Sequence, residues 1–368
     1  MQNLEEKLRE LRDEYSKTKY NKATNKYLGR LRKKIALVKK EMSEHKKAAG
    51  TGFSVKKTGD ATVALVGFPN AGKSSLLGQI TNAESKVADY AFTTLSVIPG
   101  VMEYNGAKIQ IFDVPGLIEG ASQGKGRGTE VASAIRVCDL IAFVVDINSP
   151  GQLYKLLDEL HSLGIMVNVR KPRIRIEKRP AGGLNVEAGK YKVPDKNSIA
   201  EVLREFKIFN ANLIFGSDAS LEDIADLLDD STAYIDGMVI LNKIDTVDKR
   251  YSEAMKAEIE ALTGMDTVLI SASNSVNLEQ LRRSMFGHLK LIRIYLKPKD
   301  GPPDFSKPLI VGSGSTVYDV ARGLHSKIAK NLKYAVVTGK SARFKNQKEG
   351  RDHPLADGDV VTLVYDKA

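Results

Sequence analysis

The stretch that decides the fold is ATVALVGFPNAGKSSLLGQI, residues 61 to 80. Six apolar or β-branched residues lead straight into GFPNAGKS at 67 to 74, and an amphipathic helical pattern follows from Lys73. A strand, a glycine-containing loop ending in Gly-Lys-Ser and a helix form the context in which backbone N–H groups and a helix N-terminus can cradle phosphate. The chain therefore binds a phosphorylated ligand through Gly67, Asn70, Ala71, Gly72, Lys73, Ser74 and Ser75. Lys73 is placed to reach the terminal phosphates and Ser74 to hold Mg²⁺.

Downstream, short apolar runs alternate with helical periodicity. KIQIFDV (108–114), DLIAFVVDI (139–147), GMVILN (237–242) and DTVLIS (266–271) read as buried strands, with helices starting near Lys73, Arg127, Gln152, Ser252 and Asn277. That alternation predicts an α/β fold with a mostly parallel sheet covered on both faces. Between Ile147 and Gly237 lie far more residues than the dozen or so a parallel crossover requires. An α+β subdomain over 170–233 is expected there, with the alternating RIRIEKR, a turn at Pro180 to Gly183, the strand LNVEAG and the helix SIAEVLREF.

The flanks differ from the middle. Leu4, Leu8, Leu11 and Tyr15, then Leu28, Leu31, Ile35, Val38 and Met42, recur at helical spacing and predict two helices in a basic N-terminal region, 1–60. The cluster KPKDGPPDFSKP marks a boundary after Leu296, and strand (PLIVG), helix (TVYDVARGLHSKI), strand (YAVVTG) and strand (VVTLVY) follow. RIYLK at 293–297 supplies a first strand, so 292–368 reads as a β-grasp-like domain. The remaining segments, 61–169 and 234–291, form the nucleotide-binding domain.

Charge separates along the same lines. Residues 1–60 hold 17 Lys/Arg against 8 Asp/Glu, 61–296 hold 26 against 29, and 297–368 hold 13 against 8. Basic ends attract polyanions, so RNA or a ribosomal surface is the expected partner, although a solvated helical face would look the same. The single cysteine, Cys138, lies in an apolar run and excludes an internal disulfide. No apolar stretch approaches the ~18 residues of a membrane span, so a cytoplasmic protein without a membrane partner is expected.

Three further motifs select the chemistry. DVPG at 113–116 ends a strand, where Asp113 can hold Mg²⁺ through water and the Gly116 amide can sense the γ-phosphate. NKID at 242–245 ends another strand. A carboxylate at Asp245 accepts from guanine N1–H and N2–H₂, a donor pair adenine lacks, so the ligand is GTP or GDP rather than an adenine nucleotide. Asn242 bonds the base and ties loops together, and the Lys243 stem covers the ring plane. SAS at 271–273 follows the last strand and places Ser271 and Ala272 at the nucleotide, with the Ala272 N–H positioned to donate to guanine O6. FTTLSVIPG, 92–100, supplies Thr93 and Thr94 as candidate ligands of Mg²⁺ and the γ-phosphate.

The set GFPNAGKS, FTTL, DVPG, NKID and SAS resembles the Obg class of translation-factor-related GTPases. DVPGLIEGASQGKGRG at 113–128, with the basic helical N-terminus, the insertion and the C-terminal domain, resembles its developmentally regulated GTP-binding (DRG) subfamily. The resemblance implies a P-loop GTPase domain, a helix-turn-helix-like arm, an S5D2-like insertion and a TGS domain of β-grasp fold. It also implies association with ribosomes or RNA, not DNA, a regulatory partner protein, and Thr94 rather than Thr93 as the metal ligand. Leu117 stands where many GTPases carry a Gln that orients the attacking water, so slow hydrolysis is expected. An Asn at position 70 combined with this leucine resembles potassium-activated GTPases, which implies K⁺ near Asn70. Two other readings stay open at this point: a nucleotide-gated scaffold with incidental turnover, and a small-molecule kinase, which NKID and SAS disfavour.

Overall fold

The computed structural model describes residues 59–81, 98–114, 127–229, 232–298 and 301–366, with Glu14 and Lys34. The segments where two N-terminal helices are expected, Thr93 and Thr94, Gly116 and Leu117 lie outside the described residues. The chain divides into two compact units. One contains the described residues within 55–116, 137–153 and 236–368, the other those within 117–136 and 154–235.

In chain order the nucleotide-binding region begins with β1 (Ala61–Val66), α1 (Lys73–Ile80), β2 (Ile98–Tyr104), β3 (Ala107–Asp113), α2 (Arg127–Ile135), β4 (Leu140–Asp146) and α3 (Gln152–Ser162). There follow β5 (Ile165–Val167), β6 (Ile174–Lys178), β7 (Leu184–Glu187), α4 (Lys196–Glu205), β8 (Ala211–Phe215) and α5 (Leu221–Leu228). The chain then returns through β9 (Ala233–Asn242), α6 (Lys249–Thr263), β10 (Thr267–Leu269) and α7 (Leu278–His288). Last come β11 (Leu291–Leu296), β12 (Leu309–Gly312), α8 (Val317–Leu324), α9 (Ser326–Asn331), β13 (Leu332–Thr338), β14 (Gln347–Glu349) and β15 (Val360–Tyr365).

The main sheet has the order β10-β9-β4-β1-β3-β2. Every neighbouring pair on this path is parallel except β2 with β3. All six residues of β1 are buried, as are six of the seven in β4, because both faces of this sheet are covered. Leu76, Leu77 and Ile80 of α1 enter the same core as Leu281 and Met285 of α7 and the strand residues Val63, Ile111, Ala142 and Ile240. The order reverses at β1, which lies between β3 and β4. Ligands of open parallel sheets bind beside such a reversal, at the strands' carboxyl ends.

The insertion is a three-stranded sheet, β6-β8-β7, packed on α4 and α5 through Ile174, Ile199, Leu203, Leu213, Phe215 and Ile224. Its strands do not pair as the sequence order suggests. β8 runs between β6 and β7, antiparallel to the first and parallel to the second, so the Pro180–Gly183 turn does not close a two-stranded ladder. ANLIF, 211–215, escapes sequence reading because it is short and buried on nearly every residue, which removes the alternation that betrays a half-buried strand. Asp195 caps α4 by accepting from the Asn197 and Ser198 N–H groups, and Ser220 with Asp223 forms a capping box on α5.

The C-terminal sheet has the order β12-β11-β15-β13-β14. Its core gathers Ile292, Ile294, Val317, Val320, Leu332, Val337 and Val361. One helix is expected over TVYDVARGLHSKI, but there are two. The chain turns extended at His325, whose ring nitrogen accepts from the Lys327 N–H and caps the second helix. Arg293 holds the Asp357 turn through a bidentate pair, with Nε to Oδ1 at 3.0 Å and Nη2 to Oδ2 at 2.7 Å. Among the described residues, no helix is long and apolar enough to cross a membrane.

Candidate guanine nucleotide site

Five strands deliver their carboxyl ends to one edge of the main sheet. β1 leads into Gly67, β3 ends on Asp113, β4 on Asp146, β9 on Asn242, and β10 leads to Ser271 and Ala272. Register fixes the alignment: Leu65 pairs with Asp113, and Asp146 with Asn242. Parallel pairing leaves the groups at the strand ends with unsatisfied hydrogen bonds facing one side, and the polar residues sit at those ends.

The phosphate loop needs its glycines for space. A Cβ at Gly67 would collide with the Val144 carbonyl oxygen, and one at Gly72 with the Asn242 side-chain nitrogen. Gly72 is also left-handed at φ +94°. Asn70 is exposed and left-handed at φ +62°, a conformation that asparagine tolerates better than most residues. Ser74 and Ser75 stand exposed on the first turn of α1.

Lys73 folds back over the loop. Its Nζ donates to the carbonyl oxygens of Gly67 at 2.9 Å and Phe68 at 3.1 Å. Burial pushes its ammonium below the ordinary lysine range, and the Asp113 charge nearby offsets this only in part. A cation desolvated without a contacting counter-ion is built to receive an anion.

Asp113 shows what metal suits this place. Ser74 Oγ donates to its Oδ2 at 2.8 Å, whereas its Oδ1 is buried with no hydrogen-bond partner among the described residues. An acceptor left bare in the interior costs free energy unless a cation or its water reaches it. Among the described residues, no cluster of three or more His, Cys, Asp or Glu side chains could hold a metal. One hydroxyl, one carboxylate and phosphate oxygens form a hard-oxygen set that suits Mg²⁺.

On the base side, Asn242 is 2% exposed and ties three loops. Its Nδ2 donates to the Ala71 oxygen at 2.9 Å, and its Oδ1 accepts from the Ala272 N–H at 3.0 Å. The Ala272 N–H expected to meet guanine O6 is thus engaged with Asn242 in this structure, and reaching O6 requires it to share that bond. Lys243 is left-handed at φ +66°, which swings its side chain out of the strand direction. Its Nζ contacts Asp146 Oδ2 at 2.8 Å. Asp245 lies exposed on the single 3₁₀ turn Ile244–Thr246. Ser271 Oγ lies 3.1 Å from Ser273 Oγ and accepts from the Asn274 N–H at 3.2 Å, which stiffens the loop that carries Ala272.

Asp146 was not singled out in the sequence, although a carboxylate closing an apolar strand was a visible signal. Burial alone would raise its pKa, but hydrogen bonds from Lys243 and Asn148 hold it below the usual carboxylate value. Asn148 Nδ2 also donates to Thr246 Oγ1 at 2.9 Å, and Thr246 Oγ1 donates to the Lys243 oxygen at 2.8 Å. This network clamps the Lys243 stem in place from below.

Comparison with known proteins agrees with this geometry. Residues 62–178 match the 50S ribosome-binding GTPase family, 181–291 the C-terminal region of that domain, and 292–365 the TGS domain. An uncharacterized GTP-binding protein of Methanocaldococcus jannaschii is 44% identical over 98% of this chain and 93% of its own. Developmentally-regulated GTP-binding protein 1 of Xenopus laevis is 38% identical over 97% of this chain and 98% of its own. The chain belongs to the developmentally regulated GTP-binding protein family. The Dictyostelium discoideum homolog of protein 2 of this family is 37% identical over 98% of both chains. This DRG protein is accordingly a GTP-binding protein with a P-loop GTPase domain and a C-terminal TGS domain.

Lys73 generates the first prediction. A bound phosphate favours the ammonium and raises a pKa that burial has lowered, so binding takes up a proton wherever the free side chain is partly neutral. Affinity for GTP is expected to fall as pH rises through the free-state pKa, below the ordinary lysine value of 10.5. Calorimetry in alkaline buffers of different ionisation enthalpy measures the uptake; no proton exchange at any alkaline pH contradicts it.

Proposed function

We propose that this DRG protein is a guanine-nucleotide switch that hydrolyses GTP slowly and associates with ribosomes or RNA in the cytoplasm. The observation that carries the nucleotide part is the convergence of the phosphate loop, Asp113, Asn242 and the exposed Asp245 on one sheet edge. The reaction is phosphoryl transfer to water, in which the protein positions groups and stabilises charge. The loop N–H groups and Lys73 hold the phosphates, with Lys73 exchanging the Gly67 and Phe68 carbonyls for phosphate oxygens. Ser74, Asp113 and Thr94 would hold Mg²⁺, which supplies charge neutralisation at the phosphates when bound. The Gly116 amide senses the γ-phosphate, and Asn242, Lys243, Asp245 and Ala272 read and cover the base.

Asp245→Asn removes the acceptor for guanine N1–H and N2–H₂. GTP affinity is expected to drop by up to about 10⁴-fold, with preference moving to xanthosine triphosphate. Competition between the two nucleotides reads this directly, and an unchanged base preference rejects the assignment.

Leu117 cannot hydrogen-bond to the attacking water, so turnover depends on an ion, another residue or a partner. We assign K⁺ to the Asn70 side of the loop, where positive charge stabilises the transition state more than the ground state. An arginine finger in that role contributes about 10³ to 10⁵ in rate. The left-handed φ of Asn70 is by itself enough to favour asparagine there, so the ion requires its own test. Hydrolysis is expected to be faster in potassium than in sodium at equal ionic strength, and Asn70→Ala to lose the difference. Full potassium preference in Asn70→Ala would falsify the Asn70 role.

The basic ends, 1–60 and 292–368, are the segments we assign to the ribosome or RNA, with a regulatory partner protein as a further expected contact. Deleting residues 1–47 is expected to weaken co-sedimentation with ribosomes and flatten its salt dependence. Sedimentation identical to that of the full chain at every salt concentration would reject the arm as a ribosome contact. Measuring phosphate release with and without ribosomes separates a switch, whose turnover responds, from a scaffold, whose turnover does not.

A further inference from the structure

We infer that the insertion carries a single-stranded RNA contact of its own, built from Phe209 with Lys178, Arg179 and Lys207. This deepens the RNA-association reading above and rests on it, but it places a contact where the overall charge of the chain gives no hint.

The insertion is electrically divided. From Arg170 to Lys207 there are 11 Lys/Arg and 5 Asp/Glu, and from Ala211 to Asp230 there are none against 6. Its two halves cancel in any count over the whole segment. Part of the basic half has an ordinary explanation, since β6 is an edge strand, and charged side chains discourage edge-to-edge pairing. That explanation covers Arg173 and Arg175, the latter paired with Glu177 at 2.9 Å. It reaches Lys178, the last residue of β6, but not Arg179 or Lys207 beyond the strand's far end.

There Phe209 stands 68% exposed, more than any other large hydrophobic side chain among the described residues. Its backbone is fixed by both neighbours. Ile208 is 7% exposed in the insertion core. Asn210 is held three ways: its oxygen accepts from the Arg179 N–H at 3.0 Å, its Oδ1 from the Gly183 N–H at 2.8 Å, and its Nδ2 donates to the Pro180 oxygen at 3.3 Å. The ring is therefore presented on a rigid base beside the Pro180–Gly183 turn. A Cβ at Gly182 or Gly183 would meet nothing within 4 Å, so the surface next to the ring is bare.

Lys178 pairs across the ladder with Ala211, two residues from Phe209, and Lys207 precedes it by two. Lys178, Arg179 and Lys207 are all exposed, and none forms an ion pair with a described residue. A protein partner would need a contact surface on the order of 800 Å² per side with an apolar centre, which one ring among cations and glycines does not provide. A flat ring with three uncompensated cations suits a stacked base and its flanking phosphates. Stacking also needs the ring preorganised, and the Asn210 anchor supplies that.

The test is fluorescence anisotropy of labelled oligouridine with the full chain. Phe209→Ala is expected to weaken binding about tenfold, the scale of one lost base–aromatic stack. Phe209→Trp should retain affinity, since it keeps a stacking face. Replacing Lys178, Arg179 and Lys207 together with Ala should lower the salt slope by about two. GTP affinity should be unchanged in all three, which reports that each is folded. If Phe209→Ala binds as the wild type does, this site is wrong while RNA association through the basic ends stands. If the wild type binds neither oligouridine nor ribosomes, both fall. Equal losses in Phe209→Ala and Phe209→Trp, or displacement of the RNA by polyglutamate at equal charge concentration, would also overturn the stacking assignment.

Discussion

One buried amide sets the geometry that everything at the nucleotide edge relies on. Asn242 donates to Ala71 in the phosphate loop and accepts from Ala272 in the loop after β10, with almost no access to water. Either bond contributes about 1 kcal/mol net to stability, but in the interior each partner left bare costs more than the bond contributes. The three loops must therefore be held together or all be unsatisfied. Gly72 belongs to the same constraint, because only a residue without a side chain lets the phosphate loop approach that amide. The spacing between the phosphate-binding and base-reading halves is then fixed by protein–protein bonds before any nucleotide arrives.

A second consequence concerns charge. Lys73 donates to two carbonyl oxygens, and Asp113 has one buried oxygen without a hydrogen-bond partner among the described residues. The desolvated ammonium suits a phosphate, and the bare carboxylate oxygen suits a hard cation or its water. A site with these two defects favours a ligand that carries both signs of charge in the correct order, terminal phosphate toward Lys73 and metal toward Asp113.

Much of this was legible in the sequence because strand, loop and helix follow in immediate succession around residues 61–80, and each strand-end motif has chemistry specific to its position. Asn242 could be placed at a strand end, yet its double attachment could not, since the partners lie far off in sequence. Asp146 was hidden for a related reason: its role is to hold Lys243, and no spacing rule connects the two. In the insertion, β8 was missed because burial on both faces erases periodicity, and the turn at Pro180–Gly183 suggested a hairpin that β8 interrupts. The break between α8 and α9 was also invisible, since His325 ends one helix and caps the next through its ring, which composition does not signal.

The same long-range attachment has a bearing on biosynthesis. Ala71 and Asn242 are separated by 171 positions, and Asp146 and Lys243 by 97. At the pace of about 5 to 20 residues per second at which chains are made, the phosphate loop leaves the ribosome roughly 10 to 30 s before its anchor exists. During that interval β1, α1 and β3 can assemble locally, but β4 has no β9 to complete its ladder and the base-reading loops are not yet made. The nascent chain can thus emerge from its own ribosome with phosphate-binding residues displayed and no means of recognising guanine. The Asn242 bond that joins the three loops cannot form until the segment through Ala272 has been made.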